Sequence, residues 1–360
     1  MLGVKSKRSA LRAPGGRAAP VVLKGLPGLP WLWAGAGLAA LVVSCAAGAL
    51  MGPVHMGLGT VLAALVGAHV DPGQANILWS LRFPRVVLGV LVGGMLAIAG
   101  AAYQGVFRNP LADPYLLGAA AGANLGATLA IAFAPGTTVI GLNVVPIAGF
   151  LGAGAAVAGA YVLGQTVGGL RSNTGLILAG VATAAFFNSV QMYVQQAQTG
   201  SLRQVYSWIL GRLVTAGWDG VMLVLPYVVI SSLIIFLHRR LLDALMVGED
   251  EVTSLGISVR RVRLIVVAAA TLGTAAVVAV GGTIAFVGII IPHTVRLLVG
   301  RSYTVVVPLS LLFGAAFLVL ADTLARTVVA PAELPIGVIT AFVGAPFFIA
   351  VMRSSRAAAL

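Results

Sequence analysis

Long apolar runs, most about as long as a bilayer core is thick, alternate with short polar joints along nearly the whole chain. About 20 helical residues cross the hydrocarbon. Runs that reach or approach that length lie near 31–51, 84–105, 115–134, 142–166, 175–195, 221–238, 263–282, 286–299, 305–322 and 335–352. The pattern predicts an all-α polytopic membrane protein with about ten transmembrane helices. The run at 286–299 is the weakest and follows Gly281 and Gly282. It reads as a partial helix or a re-entrant element, which a bilayer tolerates only where protein or a polar cavity lines the broken backbone. The predicted organisation is a basic tail over 1–30, a transmembrane domain over 31–353 and a second tail over 354–360.

Within the runs, small residues crowd together, as in GVLVGGMLAIAG at 89–100, GAAAGANLGA at 118–127 and GAGAAVAGA at 152–160. Small faces let helix backbones approach closely. They serve either static packing or sliding during gating. Composition agrees with the pattern: 59% hydrophobic residues, a mean hydropathy of +1.05 and 46 glycines leave too few polar groups for the shell of a soluble protein this long. Cys45 is the one cysteine, which excludes an intrachain disulfide. His55, His69, His238 and His293 show no metal-ligand spacing. Charges deep in the spans are scarce, which argues against a rival class, the secondary transporter driven by protons or sodium.

Charge sets the orientation. Lys5, Lys7, Arg8, Arg12, Arg17 and Lys24 precede the first run with no acid among them. This stretch is long for a signal peptide and reads as a cytoplasmic tail leading into an uncleaved helix. The net charge of +13 is then a matter of lipid headgroups and the positive-inside bias, not of nucleic acid. An even number of spans puts both termini inside. Of the 22 Lys and Arg residues, only Arg82, Arg85, Arg203, Arg212 and Arg326 then fall on the outer side.

Four joints carry more. LHRRLLDALMVGEDEVTSLGISVRRVR at 237–263 holds nine charged side chains in a chain that is 9% charged. Its 239–262 portion predicts a short helix beginning at Gly248-Glu249-Asp250-Glu251 and stopping at Leu255-Gly256-Ile257, with Val252, Leu255 and Ile257 able to enter a partner's groove. No GxxxxGK[ST] phosphate loop occurs, so any nucleotide energy comes from another polypeptide. In RNPLADPYLLG at 108–118, Asp113 is placed to cap the next helix, with Pro114 at its first position. In GTIAFVGIIIPHTVRLLVG at 282–300, Pro292 frees a backbone carbonyl, and His293 reads as a packing residue. In the segment at 331–354, Glu333 stands just before Pro335, either as a helix cap or as a partner for a basic group.

These segments in order, together with LRFPRVVLGVLVGGMLAIAGAAYQGVFRNPLADPYLLG at 81–118, LILAGVATAAFFNS at 176–189, GRLVTAGW at 211–218, ADTLART and ELPIGVITAFVGAPFF, resemble the permease subunits of the FecCD family. The resemblance covers roughly 35–353. It implies a type II ABC importer permease fold in a bacterial plasma (inner) membrane, with no catalysis and no cofactor in this chain. The implied partners are a second permease subunit, expected to be the same chain, two cytoplasmic ABC ATPase subunits that bind ATP-Mg, and a periplasmic or lipid-anchored substrate-binding protein. The implied cargo is a metal chelate: ferric siderophore first, haem or cobalamin as alternatives. By the same resemblance Gly248, Glu249, Asp250, Glu251, Val252, Leu255, Gly256 and Ile257 form the ATPase-coupling segment, with Val252 and Leu255 seated in the ATPase cleft. Arg82, Arg85 and Arg326 meet carboxylates of the binding protein, and Ser172 and Asn173 narrow the inner end of the path. Asn188, Gln191 and Gln195, amides on an otherwise apolar span, are the candidates for lining that path.

Overall fold

The computed structural model describes residues 30–139, 142–168, 173–213, 217–254 and 256–357. In chain order its helices are α1 (Trp31–Leu50), α2 (Leu58–Leu65), α3 (Pro72–Ile77), α4 (Phe83–Phe107), α5 (Ala119–Phe133), α6 (Val144–Gly168) and α7 (Asn173–Ala197). They continue with α8 (Leu202–Ile209), α9 (Asp219–Leu245), α10 (Glu249–Ser254), α11 (Val259–Gly281), α12 (Val287–Val299), α13 (Tyr303–Thr327) and α14 (Ile336–Ala357). A hairpin of Thr138–Val139 with Leu142–Asn143 joins α5 to α6. Among the described residues, seven helices are long and apolar enough to cross a bilayer: α1, the continuous stretch Pro72–Phe107, α6, α7, α9, α11 and α13. α5, α12 and α14 are shorter apolar helices. The chain is therefore an all-α multi-pass membrane protein.

α4 lies at the centre, buried along most of its length and packed by α13, α11, α9 and α12. Glycine sets these distances. Gly93 meets the Gly314 backbone, Gly100 meets Gly288, and Gly122 meets Gly152; a Cβ at any of the three would strike main-chain atoms. Outward faces are apolar, as at Leu38, Phe186, Tyr193, Met222 and Leu237. A π-helical turn, Leu78–Arg82, joins α3 to α4. Pro84 has no N–H to give the Ser80 carbonyl, and the Phe83 amide reaches back to Leu78 instead. Arg82 closes this turn and reaches the end of α1.

The break before α12 spans Gly282 to Phe286, both at positive φ (68° and 70°). Its loose polar groups find protein partners. The Tyr115 hydroxyl donates to the Ile284 carbonyl at 3.1 Å and accepts from the Ile284 amide at 3.2 Å, and the Thr283 hydroxyl donates to the Ile209 carbonyl. Pro292 has no N–H for the Gly288 carbonyl, and the Gln104 amide donates there at 3.0 Å. The partial helix expected at 286–299 is thus α12, lined by protein. The role expected of Asp113 is corrected. Its carboxylate accepts from the Tyr115 amide at 2.8 Å, while α5 starts later, after Gly118 at φ 82°. Burial raises this carboxyl to about 6.

Candidate functional site

Two polar clusters stand at opposite ends of the bundle. At one end α10 projects between α9 and α11. It begins after Gly248 and stops before Gly256, whose φ of 79° suits glycine, as the sequence predicts. Asp250, Glu251, Thr253 and Ser254 are exposed. Val252 is 2% exposed and packs into the chain's own core, with Ile257 beside it. The expectation that Val252 enters a partner's cleft is therefore corrected: an i→i+4 turn anchored at Gly248 points it inward, and the polar face is what α10 presents. Leu255 lies outside the described residues.

The same end holds a network that ties four elements. The Gln104 side chain of α4 donates to the Ala112 carbonyl at 3.2 Å as well as to Gly288, and its oxygen accepts from Arg296 at 2.8 Å. The Arg296 guanidinium lies 5.7 Å from the centre of the Tyr303 ring. Asp243, near the end of α9, accepts hydrogen bonds from Ser302, Tyr303 and Thr304 at the start of α13.

At the opposite end the three arginines gather. Arg85 donates to Asp322 at 2.9 and 3.0 Å and to Glu333 at 3.0 and 3.1 Å. Arg326 pairs with Asp322 at 3.0 Å, one helical turn away. Arg82 donates to the Ala49 carbonyl at 2.6 Å, to Leu50 at 2.9 Å and to Val54. Arg326 reaches Gly48 at 3.2 Å and Met51 at 3.4 Å. The last turn of α1 leaves carbonyls without intrahelical partners, and two guanidiniums from other helices satisfy them. Arg82 and Arg326 are each 4% exposed. Of the three, Arg85 turns most toward the cleft of about 410 Å³ lined by all of them, by Glu333 and by exposed Arg212. Glu333 takes the second of its two anticipated roles, meeting a basic group.

Replacing Arg82 by Ala should cost about 1.5–3 kcal/mol, the range for hydrogen bonds to a charged group. Arg82→Lys keeps the charge without the planar fork and should fall between. Thermal unfolding in detergent measures both.

The amides of α7 share a face. Gln191 is buried, Gln195 half-buried and Asn188 exposed. Asn173 opens α7, and Ser172 lies outside the described residues. His293 packs edge-on against Phe347 of α14, with ring centres 6.0 Å apart. Among the described residues no group of three or more His, Cys, Asp or Glu gathers as a metal site.

Residues 40–354 match the FecCD transport family. The chain belongs to that family. It is 38% identical over 349 residues to the cobalamin import system permease protein BtuC of Halobacterium salinarum, covering 95% of this chain and 84% of that protein. It is 34% identical over 323 residues to the iron(3+)-hydroxamate import system permease protein FhuB of Bacillus subtilis, covering 89% and 83%. A solved ABC transporter assigned to the metal-chelate type, in an inward-facing conformation, superposes with a TM-score of 0.79 at 28% identity, over 90% of this chain and 99% of that one.

Sequence reasoning misses two polar centres of this FecCD chain. Asp322 carries a local signal, its i,i+4 spacing to Arg326 on one helix. Asp243 carries none, because its partners lie 59 to 61 residues away.

Proposed function

We propose that this chain is the permease subunit of an ATP-driven importer for a metal chelate. The superposition on the metal-chelate type ABC transporter carries this reading. In it, the α10 end faces the cytoplasm, supported by Arg239, Arg240, Arg260, Arg261 and Arg301 flanking that end. Two ATPase subunits bind ATP-Mg and engage α10 through its acidic face. The cleft around Arg85 and Arg212 faces outward and receives carboxylates of the binding protein, with Arg82 and Arg326 forming its floor. Arginine suits such a surface, because its fork fixes the orientation of a carboxylate and charge complementarity sets docking register.

The chelate passes between this chain and a second copy. Asn188, Gln191 and Gln195 line the path, and Ser172 and Asn173 narrow its inner end. Amides make weaker contacts than charges, which suits a cargo that must be released. The chain performs no bond chemistry and supplies a path and a conformational switch.

Ferric siderophore is the cargo we assign first, consistent with the likeness to a hydroxamate permease. Cobalamin is the second reading, favoured by the 38% identity over 95% of the chain. The purified binding protein should retain one of four offered ligands: a ferric hydroxamate, ferric citrate, hemin or cobalamin. Proteoliposomes holding the complete assembly should then import that ligand only with ATP. Uptake by this chain alone, without ATP, overturns the reading. Reversing charge on α10 (Asp250→Lys with Glu251→Lys) should weaken capture of the ATPase about tenfold, measured by co-purification and titration.

A further inference from the structure

α13 begins at a residue that ordinarily caps its own helix. Ser302 has the extended backbone of an N-cap, φ −67° and ψ 124°, yet its side chain makes no cap bond. Asp243 of α9 takes that place. Its Oδ2 accepts from the Ser302 hydroxyl at 2.8 Å, the Thr304 amide at 3.1 Å and the Thr304 hydroxyl at 2.8 Å, while Oδ1 accepts from the Tyr303 amide. Four donors converge on one carboxylate at a helix start, where the dipole also favours negative charge. A local Ser or Asp would cap α13 equally well. A cap brought from 59 residues away does something more, because it joins two helices.

The position of that joint matters. Asp243 lies in the last turn of α9, and α10 begins six residues later, at Glu249. α10 packs on α9 and α11. Leu242 and Tyr303, on either side of the joint, both press on Gly105 of α4, where a Cβ would sit 3.1 to 3.2 Å from their side chains. The joint is therefore backed by α4 and has little room to yield. From it α13, 25 residues long, runs about 29 Å to Asp322 and about 35 Å to Arg326 at 1.5 Å per residue. There the same helix holds Arg85 and the end of α1. α13 is thus fixed by a carboxylate at each end: one beside α10, the other in the arginine cluster.

We infer that Asp243 is a positioning residue for coupling: it clamps α9 to α13, so that displacement of α10 by the ATPases reaches the arginine cleft, and docking at that cleft reaches the ATPases. This rests on the importer reading above. Coupling of this kind requires an element that both sites bias; α13 is bonded to both clusters, as α4 is through Gln104 and Arg85, and α13 is the member that Asp243 ties to α9.

The test separates clamping from capping. Asp243→Asn weakens the joint. Adding Ser302→Asp restores a local cap to α13 without restoring the link to α9. The complete assembly, with both ATPase subunits, is placed in nanodiscs, and ATP hydrolysis is measured with and without purified binding protein. Thermal stability and binding-protein affinity are measured in parallel. Asp243→Asn with Ser302→Asp should recover stability and dock the binding protein, yet lose at least about fivefold of the stimulation of hydrolysis, the lower end of ordinary coupling factors. Stimulation equal to that of the unsubstituted assembly overturns the inference and leaves Asp243 as a cap only. If Asp243→Asn chains do not accumulate, Thr304→Val, which removes one of the four donors, carries the same comparison, with a smaller loss expected. Absence of stimulation in the unsubstituted assembly overturns the importer reading itself, and the inference with it.

Discussion

Asp322→Ala should destabilise the protein by about 3–5 kcal/mol, the cost of stripping one partner from a buried ion pair. The carboxylate is 2% exposed and serves Arg85 and Arg326 together. Without it Arg85 still holds Glu333, but Arg326 keeps only the carbonyls at the end of α1 and the Thr323 hydroxyl. Glu333→Gln should cost about 1 kcal/mol or less, because that carboxylate is 29% exposed and water replaces what it gives. Thermal unfolding in one detergent, with all variants side by side, gives the ranking. A further variant tests the cause. Exchanging Arg85, Asp322 and Arg326 together for Met, Leu and Met removes the charges as a set and should recover much of the loss. If Asp322→Ala and Glu333→Gln cost the same, burial is not what makes this pair expensive to break.

The cluster also shows which features a sequence exposes and which it hides. Apolar runs of bilayer length locate the helices, because hydrocarbon forces backbone groups to pair within each span. Gly282 and Pro292 mark the broken segment before and within α12, because each leaves a local signature in φ or in a missing N–H. Gly256 ends α10 for the same reason. What stays hidden is the identity of each long-range partner. Arg82 and Arg326 stand out as arginines on the sparsely charged side, but nothing in the chain says that their donors go to carbonyls at 48–54. Asp113 looks like a helix cap until Gly118, in the left-handed region, starts α5 further along. Val252 sits in a segment rich in charge, and only the packing of α10 against α9 and α11 turns it inward. Local chemistry is legible because it depends on neighbours in sequence. Charge pairing and capping across 59 or 237 residues depend on the assembled bundle.

The two polar ends are joined by an apolar middle, and there glycine carries the constraint that charge carries at the ends. Gly100→Ala should be among the most damaging single-methyl changes in the chain. Its Cβ would be driven into the Gly288 carbonyl, which is backbone and has no rotamer to relieve the clash. That same carbonyl already accepts from Gln104, which also holds Arg296, and Gly288 is packed against Pro114. α4 and α12 must therefore separate, opening a network of hydrogen bonds along with the apolar contact. Overpacking costs about 1–3 kcal/mol and occasionally more. This site belongs at the upper end, because moving α12 also strains the Tyr115 contact with Ile284. Gly154→Ala is the matched control: nothing lies within 4 Å of the new methyl, so the change should be neutral or slightly stabilising, as Ala favours helix over Gly. Folded yield and thermal midpoint in detergent compare the pair. Equal behaviour of the two variants would mean that α12 shifts freely along α4, and that the close approach at Gly100 is not what holds the broken helix in place.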